Sequence, residues 1–165
     1  VVRTAVEQGE LRIQDGLVAR AGWEPQFSPA DRAAIETIET LLRRLGREAP
    51  TATEIAAVAG PRTPALLRLL ERERRVIQLG EARYVTPQTW REILLALRSA
   101  TGEARLYGAG ELREMFGLSR KYSIPILEGC DRAGICTRQD DGRRFHWGHL
   151  PPDVGAFLDS VGNEP

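Results

Sequence analysis

The segment Gly117–Phe145, GLSRKYSIPILEGCDRAGICTRQDDGRRF, has the pattern of a helix followed by a β-hairpin. Ser119 precedes a run in which apolar residues recur at helical spacing, so Ser119 is the predicted N-terminal cap. Asp140-Asp141-Gly142 lies between two short strand-like runs, and this turn sequence is a strong hairpin signal. A short helix is predicted just upstream, near Gly110 to Phe116. Together these elements indicate a helix-turn-helix followed by a β-hairpin wing.

The same order of elements occurs in the first half of the chain. Start signals for three helices are followed by two short strand-like runs around a glycine. These signals lie at Ser28-Pro29, at Thr51 with Glu54, at Thr63-Pro64, and at 75–78 with 83–85. This order of three helices and a hairpin occurs twice, and it predicts a tandem winged-helix protein that is mainly α with small β-hairpin wings.

The two halves align at an offset of 57 residues, which places Glu54 on Glu111 and Gly60 on Gly117. Similarity at one fixed spacing indicates two copies of one structural unit. The predicted layout has a wing of a preceding winged helix at 1–24, a spacer winged helix at 25–86, a second winged helix with the candidate site at 87–150, and a loosely ordered tail at 151–165. Within 1–24, LRIQDGLVARA is a predicted hairpin with a turn at Asp15-Gly16.

The composition excludes a general electrostatic attraction to polyanions. The 165 residues include 23 basic and 23 acidic residues, so the formal net charge is zero. Any anion site must therefore come from local placement of cations. Two cysteines are too few for a disulfide framework, and no apolar run approaches the roughly 18 residues of a membrane span. We expect a cytoplasmic protein with reduced thiols and no membrane contact.

The local placement of cations is most favourable at the start of the predicted helix after Gly117. Two cations, two hydroxyl groups and an aromatic ring gather there, where free backbone N–H groups and the helix dipole favour phosphate. Lys121 in this cluster is the only lysine of the chain. Pro125, farther along, predicts either a kink or a regular helix that begins nearer Tyr122. The candidate anion-binding residues are Ser119, Arg120, Lys121 and Tyr122 at the helix start, Arg138, Arg143 and Arg144 on the wing, and Arg105 and Tyr107 in the preceding loop.

The second repeat resembles a known family. Its residues resemble the C-terminal winged helix of the bacterial selenocysteine-specific elongation factors (SelB). The family pattern combines a Gly-x-x-Arg-Lys/Arg helix start, a Leu-Glu-x-x-Asp-Arg helix end, a Thr-Arg strand and a Gly-Asp-x-Arg hairpin. The matching residues are Gly117, Arg120, Lys121, Ile124, Leu127, Glu128, Asp131, Arg132, Thr137 and Arg138. The hairpin keeps Arg143 and Arg144 without the Gly-Asp order.

The resemblance implies that this region is an RNA-binding module without catalytic function. It implies binding to the selenocysteine-insertion hairpin of an mRNA, with the ribosome as a partner through the full-length factor and GTP hydrolysis in a separate part. By this interpretation Arg120, Lys121 and Tyr122 meet the hairpin's phosphates and loop, and Arg143 or Arg144 reaches a base from the wing. No GxxxxGK[ST] phosphate loop occurs in the 165 residues, and no cofactor is expected.

Two other classes of function fit a tandem winged helix. One is a DNA-binding regulator, which would need a long helix with exposed polar residues at successive turns. The other is a protein-interaction module, which the neutral charge would suit. A zinc site is disfavoured, because Cys130, Cys136, His146 and His149 miss the usual ligand spacings.

Overall fold

The computed structural model of the chain describes residues 11–14, 17–20 and 27–160. The first described element is a hairpin of two antiparallel strands, β1 (Leu11–Gln14) and β2 (Leu17–Arg20). Leu11 lies opposite Arg20, and Gln14 lies opposite Leu17. The predicted strand pair is present, while the predicted Asp15-Gly16 turn lies outside the described residues.

The first repeat has three helices and a small antiparallel hairpin. Its elements are α1 (Pro29–Leu45), α2 (Ala52–Ala59), α3 (Thr63–Arg72), β3 (Ile77–Gln78), a 3₁₀ turn (Gly80–Ala82) and β4 (Tyr84–Val85). The predicted capping box starts α2: the Thr51 hydroxyl accepts a hydrogen bond from the Glu54 N–H, and the Glu54 carboxylate accepts one from the Thr51 N–H. These bonds satisfy two N–H groups that a helix start otherwise leaves unpaired.

The second repeat has the same order and one additional helix. Its elements are α4 (Pro87–Ala100), β5 (Tyr107–Gly108), α5 (Ala109–Phe116), α6 (Arg120–Arg132), β6 (Cys136–Gln139), β7 (Gly142–Phe145) and α7 (Pro152–Asp159). The helices reproduce the 57-residue offset, since α2 and α5 correspond at both ends and α3 and α6 correspond at their first residue. The predicted fold class, a mainly helical tandem winged helix with small hairpin wings, is confirmed.

The wing of the second repeat is a three-stranded antiparallel sheet in the order β5-β7-β6. Tyr107 lies opposite Arg143, and Arg143 lies opposite Arg138. The sequence analysis predicted β6 and β7 but not β5, which is two residues long. Thr51 of the first repeat aligns with Gly108 of β5. There the strand pairing consists of a single antiparallel bridge between Thr51 and Arg83.

One hydrophobic core continues from the first repeat into the second. Leu79 and Val85 of the first repeat belong to the same buried cluster as Trp90 on α4 and Leu127 on α6. Gly129 on α6 allows a close approach: a Cβ atom there would lie 3.0 Å from Leu79 Cδ2 and 3.2 Å from Trp90 Cη2. The two repeats therefore pack directly on each other through apolar surface.

Only one residue separates the last strand of the first repeat from the first helix of the second. Val85 ends β4, Thr86 caps α4, and Pro87 is the first helical residue. The Thr86 hydroxyl accepts a hydrogen bond from the Thr89 N–H at 3.1 Å. No linker is present at this junction.

The segment after the wing differs from its prediction. The predicted loosely ordered tail covers 151–165, but Pro152–Asp159 forms α7, and 161–165 lie outside the described residues. Leu158 is buried in the core, and its carbonyl accepts a hydrogen bond from Arg91 Nη2 at 2.9 Å. Pro152 at the first helical position starts the helix, and Leu158 at its end contributes apolar surface to the core. Among the described residues, no helix is long and apolar enough to cross a bilayer.

Candidate nucleic-acid interface

The start of α6 is a regular helix start. Ser119 has extended backbone angles, and its carbonyl accepts hydrogen bonds from Tyr122 N–H at 3.1 Å and Ser123 N–H at 3.0 Å. The prediction of a helix that begins nearer Tyr122 is therefore wrong, and α6 continues through Pro125 to Arg132. Pro125 removes only its own N–H, which would have bonded to the Lys121 carbonyl. The Ser119 side chain makes no capping hydrogen bond to the first turn of α6.

Two exposed arginines face the space between α6 and the wing. Arg120 on the first turn of α6 and Arg138 on β6 both border a cavity of about 240 Å³. Both side chains are exposed, and neither makes an ion pair or side-chain hydrogen bond within the part of the chain that the structure describes. Both guanidinium groups therefore keep their donors available to an anion from solvent, at a cavity whose lining also includes the carboxylates of Glu128, Asp131 and Asp141.

Arg143, also a predicted contact residue, is instead a buried structural residue. Its guanidinium donates hydrogen bonds to Asp131 on α6, with Nε to Oδ1 at 3.1 Å and Nη2 to Oδ2 at 2.9 Å. Burial alone would lower the pKa of Arg143, but the hydrogen bonds that it donates to Asp131 raise it above its ordinary value. The side chain therefore stays charged and bound to Asp131, and it does not extend from the wing toward a ligand.

The thiol of Cys136 completes this buried group. Its Sγ lies 3.0 Å from Asp131 Oδ1, to which it donates. Its hydrogen bond with Cys130 and its burial raise the pKa of Cys136. Cys136 is thus a protonated core residue. Within the described ranges, no group of three or more potential ligands could hold a metal ion.

The predicted contact residues Arg105 and Tyr107 interact with each other and with neighbouring residues of the second repeat. Arg105 forms an ion pair with Glu111, with Nη1 3.0 Å from Oε2, and its Cζ lies 3.9 Å from the centre of the Tyr107 ring. Hydrogen bonding to Arg105 lowers the pKa of Glu111. Tyr107 is buried, and its hydroxyl accepts a hydrogen bond from the Gly102 N–H at 2.7 Å. Tyr107 is therefore a core residue, and Arg105 holds the loop before β5.

Arg144 is half-buried, and the protein partly occupies its donors. Nη1 donates to the Glu103 carbonyl at 3.1 Å, and Nε donates to Gln139 Oε1 at 3.4 Å. Arg144 and Arg143 are neighbours on β7, so their side chains leave opposite faces of the sheet. Of the two, only Arg144 keeps part of its surface for an outside ligand.

Lys121 and Tyr122 contact the first repeat, which the sequence analysis did not predict. Lys121 Nζ lies 3.3 Å from Glu54 Oε1 on α2. The Tyr122 ring centre lies 5.3 Å from Arg83 Cζ and 5.2 Å from Lys121 Nζ, within cation–π range. The capping box identified Glu54 from sequence, but nothing local indicated that its second oxygen reaches the next repeat. Arg83 carried no sequence signal.

The region that contains these side chains matches a known family. A family model described as the winged helix of elongation factor SelB matches residues 107–145, which run from β5 to the end of β7. The second repeat is therefore similar to the SelB winged helix. The matched region includes Arg120, Lys121, Arg138 and the buried Arg143.

Relatives extend the similarity beyond the SelB winged helix. The selenocysteine-specific elongation factor of Desulfomicrobium baculatum is 25% identical over 149 residues, which cover 88% of this chain and 23% of that protein. The chain therefore spans about a quarter of the length of this curated relative.

Solved structures show the same fold. The structure of the mRNA-binding domain of elongation factor SelB from E. coli, in complex with SECIS RNA, has a TM-score of 0.61 at 24% identity and covers 73% of this chain and 99% of that one. The crystal structure of a bacterial selenocysteine-specific elongation factor EF-Sec has a TM-score of 0.60 at 19% identity, covering 87% of this chain and 23% of the other.

Proposed function

We propose that the SelB winged helix of this chain binds an RNA hairpin, the selenocysteine-insertion element of an mRNA, through the start of α6 and the wing. The observation that carries this proposal is the pair Arg120 and Arg138. These exposed guanidinium groups border one cavity and have no protein partner among the described residues. The mRNA-binding domain of the E. coli relative, which shares the fold, was solved in complex with SECIS RNA.

The first turn of α6 supplies the elements of a phosphate site. The N–H groups at the helix start carry partial positive charge, and Arg120 adds a guanidinium beside them. In the first repeat the aligned segment is Arg62-Thr63-Pro64-Ala65, which has one cation where Ser119-Arg120-Lys121-Tyr122 has two. The contrast between two copies of one fold supports RNA binding by the second copy.

The contact set is smaller than the sequence predicted. We leave buried Arg143 and Tyr107 out of the proposed set because their polar groups are bound inside the protein. We also leave out Arg105, which makes two hydrogen bonds to Glu111 and a contact with the Tyr107 ring, whereas Lys121 makes a single 3.3 Å contact with Glu54. The proposed RNA-contacting residues are Ser119, Arg120, Lys121, Tyr122, Arg138 and Arg144. A compact set of this kind fits a hairpin tip, since proteins read RNA sequence mainly in unpaired loop bases.

The wider setting is part of the same proposal. The similarity to selenocysteine-specific elongation factors supports a translation role, with the ribosome as a partner of the full-length factor and the cytoplasm as its location. We assign binding, and not catalysis, to these 165 residues. GTP hydrolysis would belong to another part of the full-length factor.

The test is the affinity of the chain for a fluorescent selenocysteine-insertion hairpin, measured against salt. The controls are a loop-scrambled RNA and a DNA hairpin of the same sequence. The Arg120→Ala/Arg138→Ala variant should bind the native hairpin at least about tenfold more weakly, with a salt slope reduced by about 0.7–0.9 for each lost phosphate contact. Arg68→Ala/Arg72→Ala, which removes two exposed arginines from α3, is the charge-matched control and should bind normally. Equal binding of all three nucleic acids, unchanged in both variants, would refute the proposal.

A further inference from the structure

Arg83 is a buried arginine of the first repeat that faces the start of α6 in the second. Its side chain is 5% exposed, and Nη1 donates a hydrogen bond to the Ala49 carbonyl at 2.6 Å. Its Nε has no hydrogen-bond partner among the residues that the structure describes. The guanidinium Cζ lies 5.3 Å from the centre of the Tyr122 ring. The contact therefore joins a fixed cation of one repeat to a proposed RNA-contacting ring of the other.

The backbone around Arg83 holds the guanidinium in place. Arg83 pairs with Thr51 in an antiparallel bridge, and its N–H donates to the Gly80 carbonyl at 3.2 Å. The following N–H, that of Tyr84, donates to the Pro50 carbonyl at 3.0 Å. A side chain anchored by its backbone and by its own hydrogen bond loses little freedom when it contacts a ring, so the contact can orient that ring effectively.

Two carboxylates lie beside Arg83 and form ion pairs with it. Glu54 Oε2 lies 3.7 Å from Nη1, and Glu81 Oε2 lies 3.8 Å from Nε. Both distances exceed a normal hydrogen bond. The Glu54 carboxylate instead accepts hydrogen bonds from the Thr51 N–H, at 2.7 Å to Oε2, and from Lys121 Nζ, at 3.3 Å to Oε1.

We propose that Arg83 is a positioning residue for RNA binding, which fixes the Tyr122 ring at the start of α6 through a cation–π contact. The first repeat then takes part in RNA binding without touching RNA, and it is more than a spacer. This inference rests on the proposed function, because it assigns a role in binding that same RNA hairpin. Arg83 itself, being buried, contacts no phosphate.

The experiment is a double-mutant cycle on the whole chain, with the affinity for the fluorescent hairpin as the readout. Arg83→Gln removes the cation and keeps a donor for the Ala49 carbonyl, while Tyr122→Leu removes the ring. Arg83→Gln should weaken binding about fivefold in the wild-type background and have little effect in the Tyr122→Leu background. The salt slope should not change with Arg83→Gln, because no phosphate contact is lost. Arg83→Lys keeps a cation and should recover most of the affinity.

Each failure has a separate meaning. If folded Arg83→Gln binds the hairpin as the wild type does, or loses the same factor with and without the Tyr122 ring, the positioning role is refuted. The proposed function would still stand if Arg120→Ala/Arg138→Ala loses affinity in the same assay. If Arg83→Gln does not fold, the double-mutant cycle with Tyr122→Leu is repeated with Arg83→Met, which lacks the cation, and Arg83→Lys, which keeps it. Equal RNA affinities of these two variants would overturn the inference. If neither the arginine pair nor Tyr122 matters for binding, the proposed function fails as well.

Discussion

Asp131 on α6 receives hydrogen bonds from both Nε and Nη2 of Arg143 on β7, at 3.1 Å and 2.9 Å. The pair joins the helix that carries the proposed RNA site to the hairpin that carries the rest of it. A two-point contact between a planar guanidinium and a carboxylate also fixes their mutual orientation. The relative placement of Arg120 and Arg138 is therefore held by a pair in which Arg143 is buried and Asp131 is only partly exposed.

Asp131→Asn should destabilise the fold. The change leaves the buried Arg143 charge without a carboxylate, and we expect the free energy of unfolding to fall by about 2 kcal/mol. Urea denaturation followed by circular dichroism measures this change. Arg138→Ala, an exposed change on the same hairpin, should stay within about 0.5 kcal/mol of the wild type. Equal stability of Asp131→Asn and the wild type would show that the pair does not hold α6 to the wing.

Gly129→Ala should destabilise the protein despite the higher helix propensity of alanine. The new methyl group would lie 3.0 Å from Leu79 and 3.2 Å from Trp90, closer than normal packing allows. The overpacking cost should exceed the gain of about 1 kcal/mol from replacing a helical glycine, for a net loss of about 1 kcal/mol. Gly155→Ala on α7 is the matched control, since no atom lies within 4 Å of its added Cβ, and it should raise the melting temperature. A higher melting temperature for both variants would contradict the described packing.

Stability should depend on the ionisation of Glu54. The hydrogen bond from the Thr51 N–H and the contact with Lys121 lower the pKa of Glu54 below its ordinary 4.5. A carboxylate with a lowered folded-state pKa stabilises the fold above that ordinary value, and the contribution is lost as pH falls through the folded-state pKa. The difference in unfolding free energy between the wild type and Glu54→Gln should therefore shrink below pH 4.5.

Glutamine suits this comparison because it can retain the capping box. The pH dependence is measured by denaturant titration at several pH values. Glu48→Gln, which removes an exposed carboxylate of the same repeat, is the control. A constant difference between the wild type and Glu54→Gln over the whole acid range would contradict the assigned role of Glu54.

Glu54→Gln should also strengthen RNA binding slightly. Glu54 neutralises Lys121 in the free protein, and a phosphate must compete with it. The pair is exposed, so the expected gain is only about two- to threefold at low salt. Hairpin affinity measured with and without Lys121→Ala separates this effect from a general change in charge. The gain should disappear when Lys121 is absent, and a gain that persists would mean that Glu54 acts on RNA directly.

Local signals were sufficient to predict helices α1 to α6 and the duplication, but not α7. The capping box of Thr51 and Glu54 and the helix-ending glycines Gly60 and Gly117 act within a few residues, so the sequence alone identifies them. The two-residue strand β5 has no such signal. It becomes a strand only because β7, which lies far along the chain, pairs with it.

Whether each arginine is buried or exposed could not be predicted from such local signals. Arg143 and Arg144 are chemically equivalent neighbours, and a shift of one residue in strand register would exchange their faces. The structure buries Arg143 against Asp131 and leaves Arg144 partly exposed. Likewise, Arg83 gains its place beside Tyr122 only from the packing of one repeat on the other.

The single residue between β4 and α4 has a mechanical consequence. Thr86 both follows the last strand of one winged helix and caps the first helix of the next. Since the hydrophobic core also continues through this junction, we expect little relative motion between the two repeats. A force applied at α6, for example by the proposed bound RNA, would therefore be transmitted through the Thr86 junction to the first repeat as a torque. The tandem should therefore behave as a lever, and its stiffness would resist independent tumbling of the two halves.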